Sequence, residues 1–495
     1  MHSTRSIWPR PPSLHGTSQL DADVAVDVAI VGGGITGLTT AVLLAEAGKR
    51  VALLESRQLG AGVTGSTTAH VTEVVDTRYH ELESSFGREG ARLVRASSRD
   101  AMATIMRLAN GAECGLHSVS GYLFSEDEAQ SAALDAELLA AERAGATVER
   151  TEVPLPFPTQ GGLRFADQLQ FQPLQYLAAL VSRLSGSAVR IFEGVTMRDL
   201  DSNGRPRIET DAGPTVIADS VVLATHAPFA KLTLQLELAQ YRSYALAGRV
   251  ASAPAGLFWD LADPYHYVRR ATIDGHTYLV VGGEDHRTGT VPESGADAPF
   301  RDLESYATRF GMQPDARWSA QVVESADGLP FIGKPDPAQN VYVATGFGGN
   351  GMTFGTLGAM LIADAILERK NSYSELYRAN RFKALTALRA VVSENVETAA
   401  HLVAGHLKPV SDTPLGELPI GVGRIVRHDG HRLAVYRDQD GAVHAVSSVC
   451  THQGCQVAFN ELERSWDCPC HGSRFDLDGA VLDGPATKPL TRYLV

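Results

Sequence analysis

The sequence predicts an α/β chain in three parts: a doubly wound α/β domain, an α+β unit inserted into it, and a small all-β domain at the C-terminal end. Three observations predict this arrangement. Residues 26–55 read as strand, glycine-rich turn, helix and strand, the pattern of a parallel βαβ unit. The middle of the chain mixes predicted helices and strands. From about residue 408, short β segments alternate with Gly, Asp and Pro turns.

Size and charge limit the classes of function. The chain has 495 residues, which allows two to four structural units at roughly 100–200 residues per domain. Its net charge of −13 argues against a nucleic-acid partner, because phosphate binding requires clustered Lys and Arg. No run of about 18 apolar residues predicts a membrane span, and the N-terminal residues lack the apolar core of a signal peptide. We therefore expect a cytoplasmic protein with a loose leader over residues 1–22.

The first motif follows a buried strand predicted over residues 26–31. Gly32-Gly-Gly-Ile-Thr-Gly37 comes next, then a predicted helix over residues 38–47 and a second strand that ends at Glu55. The spaced glycines allow a tight turn and close helix packing, and the helix start offers free N–H groups to phosphates. This pattern predicts a dinucleotide site with Glu55 at the ribose. The alternative is a glycine-rich turn that binds nothing.

Spacing alone does not separate FAD from NAD, but three later motifs do. They are the Gly/Thr-rich loop at residues 59–70, the segment Val-Val-Leu-Ala-Thr-His at 221–226, and Asp-Gly-Leu-Pro-Phe-Ile-Gly at 327–333 with the glycine-rich segment 341–353 behind it. Over roughly residues 24–370 the chain resembles the D-amino-acid oxidase and glycine oxidase family of flavoenzymes. The resemblance implies a Rossmann-like FAD-binding domain with an inserted α+β substrate domain, and an amine or amino-acid substrate.

The resemblance also assigns cofactor contacts by position. It implies that Thr67 and Thr68 lie near the flavin phosphates, that the backbone of Val195 meets the adenine, and that Gly346, Gly349 and Met352 follow the isoalloxazine edge. The complete set of predicted FAD contacts is Gly32, Gly34, Ile35, Thr36, Gly37, Glu55, Ser56, Arg57, Thr67, Thr68, Val195, Ala224, Gly346, Gly349 and Met352.

The segment 346–351 also matches the dinucleotide pattern G-x-G-x-x-G after a predicted strand. A nicotinamide site is the alternative reading of this segment. It is disfavoured because no strand ending in Asp or Glu follows about 20 residues later.

A second motif holds four of the five cysteines. Cys450-Thr-His452 and Cys468-Pro-Cys-His471 supply two thiolates and two imidazoles. In a Rieske [2Fe–2S] centre two Cys bind one iron and two His bind the other, which makes these four residues the predicted metal ligands. A Cys₂His₂ zinc site is the alternative.

Over residues 410–495 the chain resembles the Rieske domains of cytochrome bc complexes, with its Cys-Pro-Cys-His-Gly-Ser string and the later Gly-Pro-Ala at 484–486. The resemblance implies a disulfide between Cys455 and Cys470 and a hydrogen bond from Ser473 to the cluster. Phe475 stands where high-potential members have Tyr, so we expect a lower potential.

These observations set the predicted domain bounds. The leader covers residues 1–22 and the FAD-dependent oxidoreductase unit residues 23–370. Within that unit the FAD-binding parts are 23–95, 150–235 and 315–370, and the substrate-binding parts are 96–149 and 236–314. A helical linker (371–407) and the small all-β Rieske domain (408–495) follow.

Two residues are candidates for chemistry. Arg269 is the predicted anchor for a substrate carboxylate, and His70 is predicted near the flavin, where some relatives attach FAD covalently through a His. The predicted function is an FAD-dependent amine or amino-acid dehydrogenase that passes electrons singly through the cluster to an external acceptor, a protein or a quinone. The alternatives are a reductase running in the opposite direction and an amine oxidase with a structural or sensing Rieske module.

Overall fold

A computed structural model describes residues 6–16, 18–227, 234, 237–292, 294–381 and 414–493. Eight helices are present in these ranges: α1 (Ile35–Glu46), α2 (Val63–Ser66), α3 (Tyr79–Ala109), α4 (Ser131–Ala144), α5 (Pro173–Arg183), α6 (Ala298–Thr308), α7 (Gly351–Ile366) and α8 (Ser374–Tyr377). None of these described helices is both long and apolar enough to cross a membrane.

The strands of the N-terminal part are β1 (Val24–Val31), β2 (Val51–Glu55), β3 (His70–Val71), β4 (His117–Phe124), β5 (Val148–Thr151), β6 (Gly162–Gln170), β7 (Val189–Glu193), β8 (Met197–Asp201), β9 (Arg207–Thr210), β10 (Thr215–Leu223), β11 (Leu238–Arg249), β12 (Leu257–Asp260), β13 (His266–Ile273), β14 (His276–Arg287), β15 (Ala316–Ser325), β16 (Phe331–Gly333) and β17 (Val341–Thr345). Those of the C-terminal part are β18 (Gly423–His428), β19 (His431–Arg437), β20 (Val443–Ser447), β21 (Ala458–Asn460), β22 (Ser465–Asp467), β23 (Arg474–Phe475) and β24 (Val481–Asp483).

The first sheet has eight strands in the order β16-β17-β10-β1-β2-β7, with β9 also pairing with β10 and β8 with β9. Strands β1, β2, β7, β10 and β17 run parallel, so their carboxyl ends meet at one edge. Their apolar side chains are buried on both faces, as expected for a parallel sheet covered by helices. In such sheets, ligands bind outside the carboxyl ends of the strands.

The second sheet has nine strands in the order β15-β11-β14-β13-β12-β4-β6-β3, with β5 beside β6. Helix α6 packs on one face of β11 and β14. The predicted bounds of the FAD-binding parts differ from this topology, since β6 and β15 fall inside them but belong to the second sheet. Sequence reasoning missed this because strand periodicity does not reveal which sheet a strand joins.

The prediction of a loose leader is wrong for the part of residues 1–22 that the structure describes. Trp8 and Leu14 are buried, with exposed fractions of 5% and 3%. The Trp8 indole N–H donates to the Thr67 carbonyl at 2.7 Å, and the Arg10 guanidinium donates to the Leu59 carbonyl at 2.6 Å. Residues 6–16 therefore form an N-terminal strap that packs on the folded domain.

The predicted helical linker (371–407) is described only at its beginning. Helix α8 is short, and Arg378 forms an isolated parallel bridge to Ile332 rather than continuing the helix. Residues 382–407 of the predicted linker and residues 408–413 of the predicted Rieske domain lie outside the described residues. The C-terminal part then forms two small antiparallel sheets, β18-β19-β20 and β21-β22-β23-β24.

The C-terminal part is docked on the second sheet through a buried ionic network. Arg242 on β11 is 2% exposed and donates to both carboxylate oxygens of Glu463, at 2.6 and 2.7 Å. Arg474 in the C-terminal part donates to Glu463, Asp467 and Asp483 at 2.8 to 3.0 Å. Burial raises the pKa of the Glu463 carboxyl. The guanidiniums of Arg242 and Arg474 more than offset this effect and hold that pKa below its usual value.

We expect Arg242→Met to weaken this docking. Removing one partner of a buried pair costs roughly 3–5 kcal/mol because a charge is left uncompensated, and Glu463 retains Arg474, so a loss of about 3 kcal/mol is expected. The measurement is the midpoint of urea unfolding. The matched control is Arg205→Met, which breaks an exposed pair with Asp219 and should change stability by less than about 1 kcal/mol. Equal midpoints for the two variants would contradict the buried role of Arg242.

Candidate active site and cluster site

A cavity of about 920 Å³ lies between the carboxyl ends of the parallel strands and the second sheet. One wall comes from the turn after β1, the end of β2 and the loop that contains α2. The opposite wall carries aromatic side chains from β12, β13 and β15. Residues 480–484 and 486–489 of the C-terminal part complete the lining.

The turn after β1 is closed to side chains. Gly32 has a φ of +112°, and a Cβ at this position would lie 2.3 Å from the Ala224 carbonyl oxygen. A Cβ at Gly37 would lie 1.9 Å from the Gly32 carbonyl oxygen. The Gly33 N–H donates to the Glu55 carboxylate at 2.8 Å, which fixes this acid at the cavity. The turn therefore leaves a cradle of backbone at the start of α1, as a pyrophosphate site requires.

The Gly/Thr-rich loop is held in place from three sides. Thr64 Oγ1 accepts from the Ile35 N–H at 3.2 Å, and the Trp318 indole N–H donates to the Ser66 carbonyl at 2.7 Å. Trp8 of the N-terminal strap donates to Thr67, as described above. These contacts fix Thr67 and Thr68 at the cavity surface before any ligand binds.

Most of the predicted FAD contacts are brought together by the fold. Those that line the cavity are Gly32, Gly34, Ile35, Thr36, Glu55, Ser56, Arg57, Thr67, Thr68, Val195, Ala224, Gly349 and Met352. Gly37 and Gly346 do not line it. Gly37 serves the close contact with Gly32 described above. Gly346 has a φ of +74°, and a Cβ there would lie 3.2 Å from side-chain atoms of Leu238 and Ser325.

Helix α7 begins at Gly351, at the cavity surface. The Asn350 side chain accepts from the Asp76 N–H at 2.8 Å and donates to the Val74 carbonyl at 3.2 Å. The N-terminal end of α7 therefore lies at the cavity, where its dipole favours negative charge. This accounts for the segment 346–351 without a nicotinamide site.

Arg269 is not placed as a substrate anchor, so this prediction is corrected. The Arg269 guanidinium is buried and donates to the carbonyls of Thr68, Ala69 and Phe171 at 2.8 to 3.2 Å. It also lies over the Trp8 ring, 5.3 Å from its centroid, and it is not part of the cavity lining. Unpaired loop carbonyls attract the arginine because buried acceptors need donors.

His70 lines the cavity and remains a candidate contact of the cofactor. Its Nε2 is buried and has no hydrogen-bond partner among the described residues. Burial, with the positive charge of Arg269, lowers the pKa of His70 to about 3. The imidazole is therefore neutral at ordinary pH, and its edge packs on Tyr267 at 5.7 Å between ring centroids.

The cavity has an aromatic wall, of which sequence reasoning missed Trp259 and Trp318. Trp259, Tyr265, Tyr267 and Trp318 line it, and Ser243 hydrogen-bonds the Tyr267 hydroxyl at 2.9 Å. One signal for this wall is present in the sequence, because Tyr265 and Tyr267 alternate directly before and on β13. Period-two spacing places both side chains on one face.

The C-terminal part brings the four predicted metal ligands together. Cys450 and Cys468 are buried free thiols, and Cys455 and Cys470 form a disulfide with Cα atoms 6.5 Å apart. The rings of His452 and His471 face each other at 4.9 Å between centroids. The sulfurs of Cys455, Cys468 and Cys470 lie within 4.8 Å, but only Cys468 of the three is free to bind a metal.

The orphaned atoms fit a Rieske cluster. The Nδ1 atoms of His452 and His471 are buried and lack hydrogen-bond partners among the described residues. Two thiols and two unpaired imidazole nitrogens at one place match the donor set of a Rieske centre. The Ser473 hydroxyl is fully buried beside them and accepts from the Ala486 N–H at 3.0 Å.

The loop that carries two of these ligands touches the flavin cavity. Gln321 on β15 lines the cavity, and its side-chain amide donates to the Gly472 carbonyl at 2.7 Å and to the Gln240 side chain at 2.5 Å. Gly472 follows the ligand His471, which is 9% exposed, while His452 is only half-buried. One side of the cluster site thus faces the cavity and the other is nearer to solvent.

Comparison with known proteins agrees with this geometry. Residues 27–365 match the FAD dependent oxidoreductase family, and residues 409–494 match the Rieske [2Fe-2S] domain. The chain belongs to the FAD-dependent oxidoreductases of this family and carries a C-terminal Rieske domain. Its cofactors are accordingly FAD and a [2Fe–2S] cluster.

A full-length relative has the same architecture. The chain is 33% identical to the Rieske 2Fe-2S iron-sulfur protein YhfW of Bacillus subtilis, over 98% of this chain and 96% of the relative. It is 37% identical to the cytochrome b6-f complex iron-sulfur subunit of Chlorobaculum tepidum, over 17% of this chain and 45% of that protein. The fold resembles glycine oxidase from Geobacillus kaustophilus, with a TM-score of 0.62, 19% identity, and coverage of 73% of this chain and 100% of that one.

We expect Gly37→Ala to lose FAD. The added Cβ cannot be accommodated 1.9 Å from the Gly32 carbonyl, so the turn has to move away from the pyrophosphate. FAD affinity should fall by at least about tenfold, which corresponds to 1.4 kcal/mol. Flavin content after gel filtration measures it. Gly48→Ala is the control, because it strains a φ of +76° beyond the end of α1 but its Cβ meets nothing within 4 Å, so it should retain FAD.

We expect Cys468→Ser to abolish the cluster while leaving FAD in place. A serine hydroxyl does not replace the thiolate that binds iron. Iron content per chain and the low-temperature EPR spectrum measure this. Cys114→Ser is the matched control, because Cys114 is a buried free thiol of the N-terminal part. A full cluster content in Cys468→Ser would contradict the assignment of Cys468 as an iron ligand.

Proposed function

We propose that the chain is a dehydrogenase of an amine or amino acid, in which FAD takes up the electrons of the substrate and the Rieske cluster hands them on singly to an external acceptor, a protein or a quinone. FAD supplies the exchange between two-electron and one-electron chemistry. We further propose a cytoplasmic location, consistent with the few cysteines outside the cluster motif.

One observation carries the proposal. The loop with the ligands Cys468 and His471 packs directly against the wall of the flavin cavity, and Gln321 belongs to that wall while it donates to Gly472. The cluster-binding loop and the oxidoreductase unit are also in close contact at a second place. A Cβ at Gly289, in the turn after β14, would lie 2.5 Å from the Pro469 nitrogen.

The docking supports a fixed rather than a mobile Rieske domain. Arg242 and Arg474 share Glu463 in a buried network that would have to be broken for the domain to leave. Breaking a buried pair costs several kcal/mol. An acceptor would then approach from the side of half-buried His452, because His471 is covered by the oxidoreductase unit.

The residues of the cavity exclude water and orient the substrate. Tyr267 and Trp318 form an apolar wall opposite the glycine-rich turn, and the Tyr267 hydroxyl is held by Ser243. The N-terminal end of α7 favours negative charge at the cofactor edge near Gly349 and Met352. His70 stays neutral and can accept or donate a hydrogen bond without adding charge.

The direct test is an anaerobic titration of the holoprotein with amines, amino acids and NAD(P)H in turn. Flavin absorbance and the EPR signal of the reduced cluster are followed together. If an amine or amino acid bleaches the flavin and the cluster signal then grows, the proposal holds. Reduction by NAD(P)H alone reverses the direction, and bleaching without any cluster signal leaves an oxidase with a structural Rieske module.

We expect Gln321→Met to slow transfer between the two cofactors. The substitution keeps the size of the side chain and removes the donor to Gly472, so the contact across the domain boundary loosens. Loss of one such bond costs about 1 kcal/mol, and the rate of cluster reduction should fall roughly fivefold. Stopped-flow spectroscopy separates this step from flavin reduction, which should stay unchanged.

Gln160→Met is the matched control, since Gln160 is exposed and distant in sequence from both sites. The cluster EPR spectrum of Gln321→Met gives a second readout, because the substitution changes the backbone contact next to His471. If both the rate of cluster reduction and the EPR spectrum were unchanged, Gln321 would have no role in electron transfer between the two cofactors.

A further inference from the structure

The Rieske domain lines the flavin cavity with one stretch of chain, residues 480–489, which we call the C-terminal wall. All of its residues except 485 belong to the cavity lining. The wall contains strand β24, which pairs with β23, so that Asp483 lies opposite Arg474 and Val481 opposite Phe475. The C-terminal wall is therefore part of a Rieske sheet and is positioned by the fold of that domain.

The part of the C-terminal wall after β24 is fixed by both cluster-binding loops. The Ala486 N–H donates to the Ser473 hydroxyl at 3.0 Å, and the Thr451 hydroxyl donates to the Lys488 carbonyl at 2.6 Å. Ser473 follows the ligand loop at residues 468–471, and Thr451 lies between two ligands of the other loop. The main chain that carries Lys488 is therefore held in place between the cluster site and the cavity.

The adenosine half of the FAD site is located by the acid at the end of β2. In a βαβ unit of this kind, that acid binds the ribose of the adenosine. The Glu55 carboxylate accepts from the Gly33 N–H at 2.8 Å and from the Arg57 N–H at 2.9 Å. The Val195 N–H donates to the Glu55 carbonyl at 3.0 Å. The cavity surface at Glu55, Arg57 and Val195 is accordingly the place for the adenosine diphosphate.

Asp483 connects the C-terminal wall to this half of the cavity. It lines the cavity, its Oδ2 accepts from Arg474 at 2.9 Å, and the same oxygen lies 3.9 Å from Nη1 of Arg242. Burial raises the pKa of this carboxyl, and the positive charges of Arg474, Arg242 and Arg57 more than offset that effect. Because the charge of Arg57 acts on Asp483, the C-terminal wall faces the adenosine half of the site.

The C-terminal wall also brings a positive charge to the cavity. Among the described residues, the lysine and arginine side chains of the lining are Arg57, Arg78, Arg198 and Lys488. Lys488 is the one that comes from the Rieske domain. The pyrophosphate of FAD is an anion, and a nearby ammonium group stabilises it most where bound cofactor has displaced water. A lysine has a long flexible stem and acts on a phosphate as a point charge.

We propose that the FAD site is shared between the two domains: the C-terminal wall covers the adenosine diphosphate half of bound FAD, and Lys488 offsets part of the pyrophosphate charge. The Rieske domain then retains FAD in addition to holding the cluster. This role goes beyond the dehydrogenase function proposed above, because it requires no substrate and no electron transfer. It also makes the release of FAD depend on the docking of the Rieske domain.

The experiment measures how fast FAD leaves the full-length holoprotein after dilution, from the fluorescence of the released FAD. Lys488→Glu reverses the charge beside the pyrophosphate and should speed release at least about tenfold, or 1.4 kcal/mol. Lys488→Arg keeps the charge and should release FAD at the rate of the unaltered protein. The effect of Lys488→Glu should shrink in 1 M salt, where the Debye length is about 3 Å instead of about 10 Å at 0.1 M.

Lys370→Glu is the matched control, because it makes the same change of charge at an exposed residue outside the cavity lining. It should release FAD at the rate of the unaltered protein. Cys468→Ser is a second control, since it removes an iron ligand but leaves the C-terminal wall and the pairing of Arg242 intact. The EPR signal of the cluster and circular dichroism check that the Lys488 variants are folded, which is expected because Lys488 is exposed.

Arg242→Met tests the same inference without changing the C-terminal wall itself. It weakens the docking of the Rieske domain, so the wall leaves the cavity more often and FAD should be released at least about fivefold faster. Arg205→Met, which breaks an exposed pair, should leave the release of FAD unchanged.

Three results would overturn the inference. They are unchanged release in Lys488→Glu with a normal cluster signal, equal acceleration in Lys370→Glu, and unchanged release in Arg242→Met. None of them depends on turnover. If no amine or amino acid bleaches the flavin, the dehydrogenase proposal falls while the shared FAD site stands; if one does bleach it while these variants keep FAD normally, the shared site falls alone.

Discussion

The arrangement of this molecule depends on the burial of Arg242. A guanidinium that is 2% exposed requires carboxylates, and Glu463, its closest partner, comes from the Rieske domain. Satisfying this charge brings Asp483 and its neighbours to the rim of the flavin cavity and sets Gly472 against Gln321. The C-terminal rim of the cavity and the position of the cluster ligands both depend on this ionic contact.

Much of the fold and of both cofactor sites follows from local sequence. The glycines at 32 and 37 specify their own geometry, because a backbone approach of about 2 Å to a Cβ leaves no other residue type. The cluster motif is equally local, with all four ligands within two short loops. Such sites can be predicted because the residue types that they need, and the spacing of those residues, occur within short contiguous segments.

The features that were missed depend on contacts between distant segments. Arg269 reads as a ligand anchor in its strand, but its partners are carbonyls at residues 68, 69 and 171. The N-terminal segment reads as a leader, but Trp8 finds Thr67 across the domain surface.

The ionic contact at Arg242 also has an evolutionary consequence. A Rieske domain taken from another protein would present a different surface to β11. Without acidic residues at the positions of Glu463 and Asp483, it would leave the buried Arg242 without a carboxylate partner. Exchange of Rieske domains between such proteins is therefore restricted to domains whose contact residues match those of the oxidoreductase unit. The two halves of this chain are expected to be inherited as a unit, with substitutions on one side of the boundary matched by substitutions on the other.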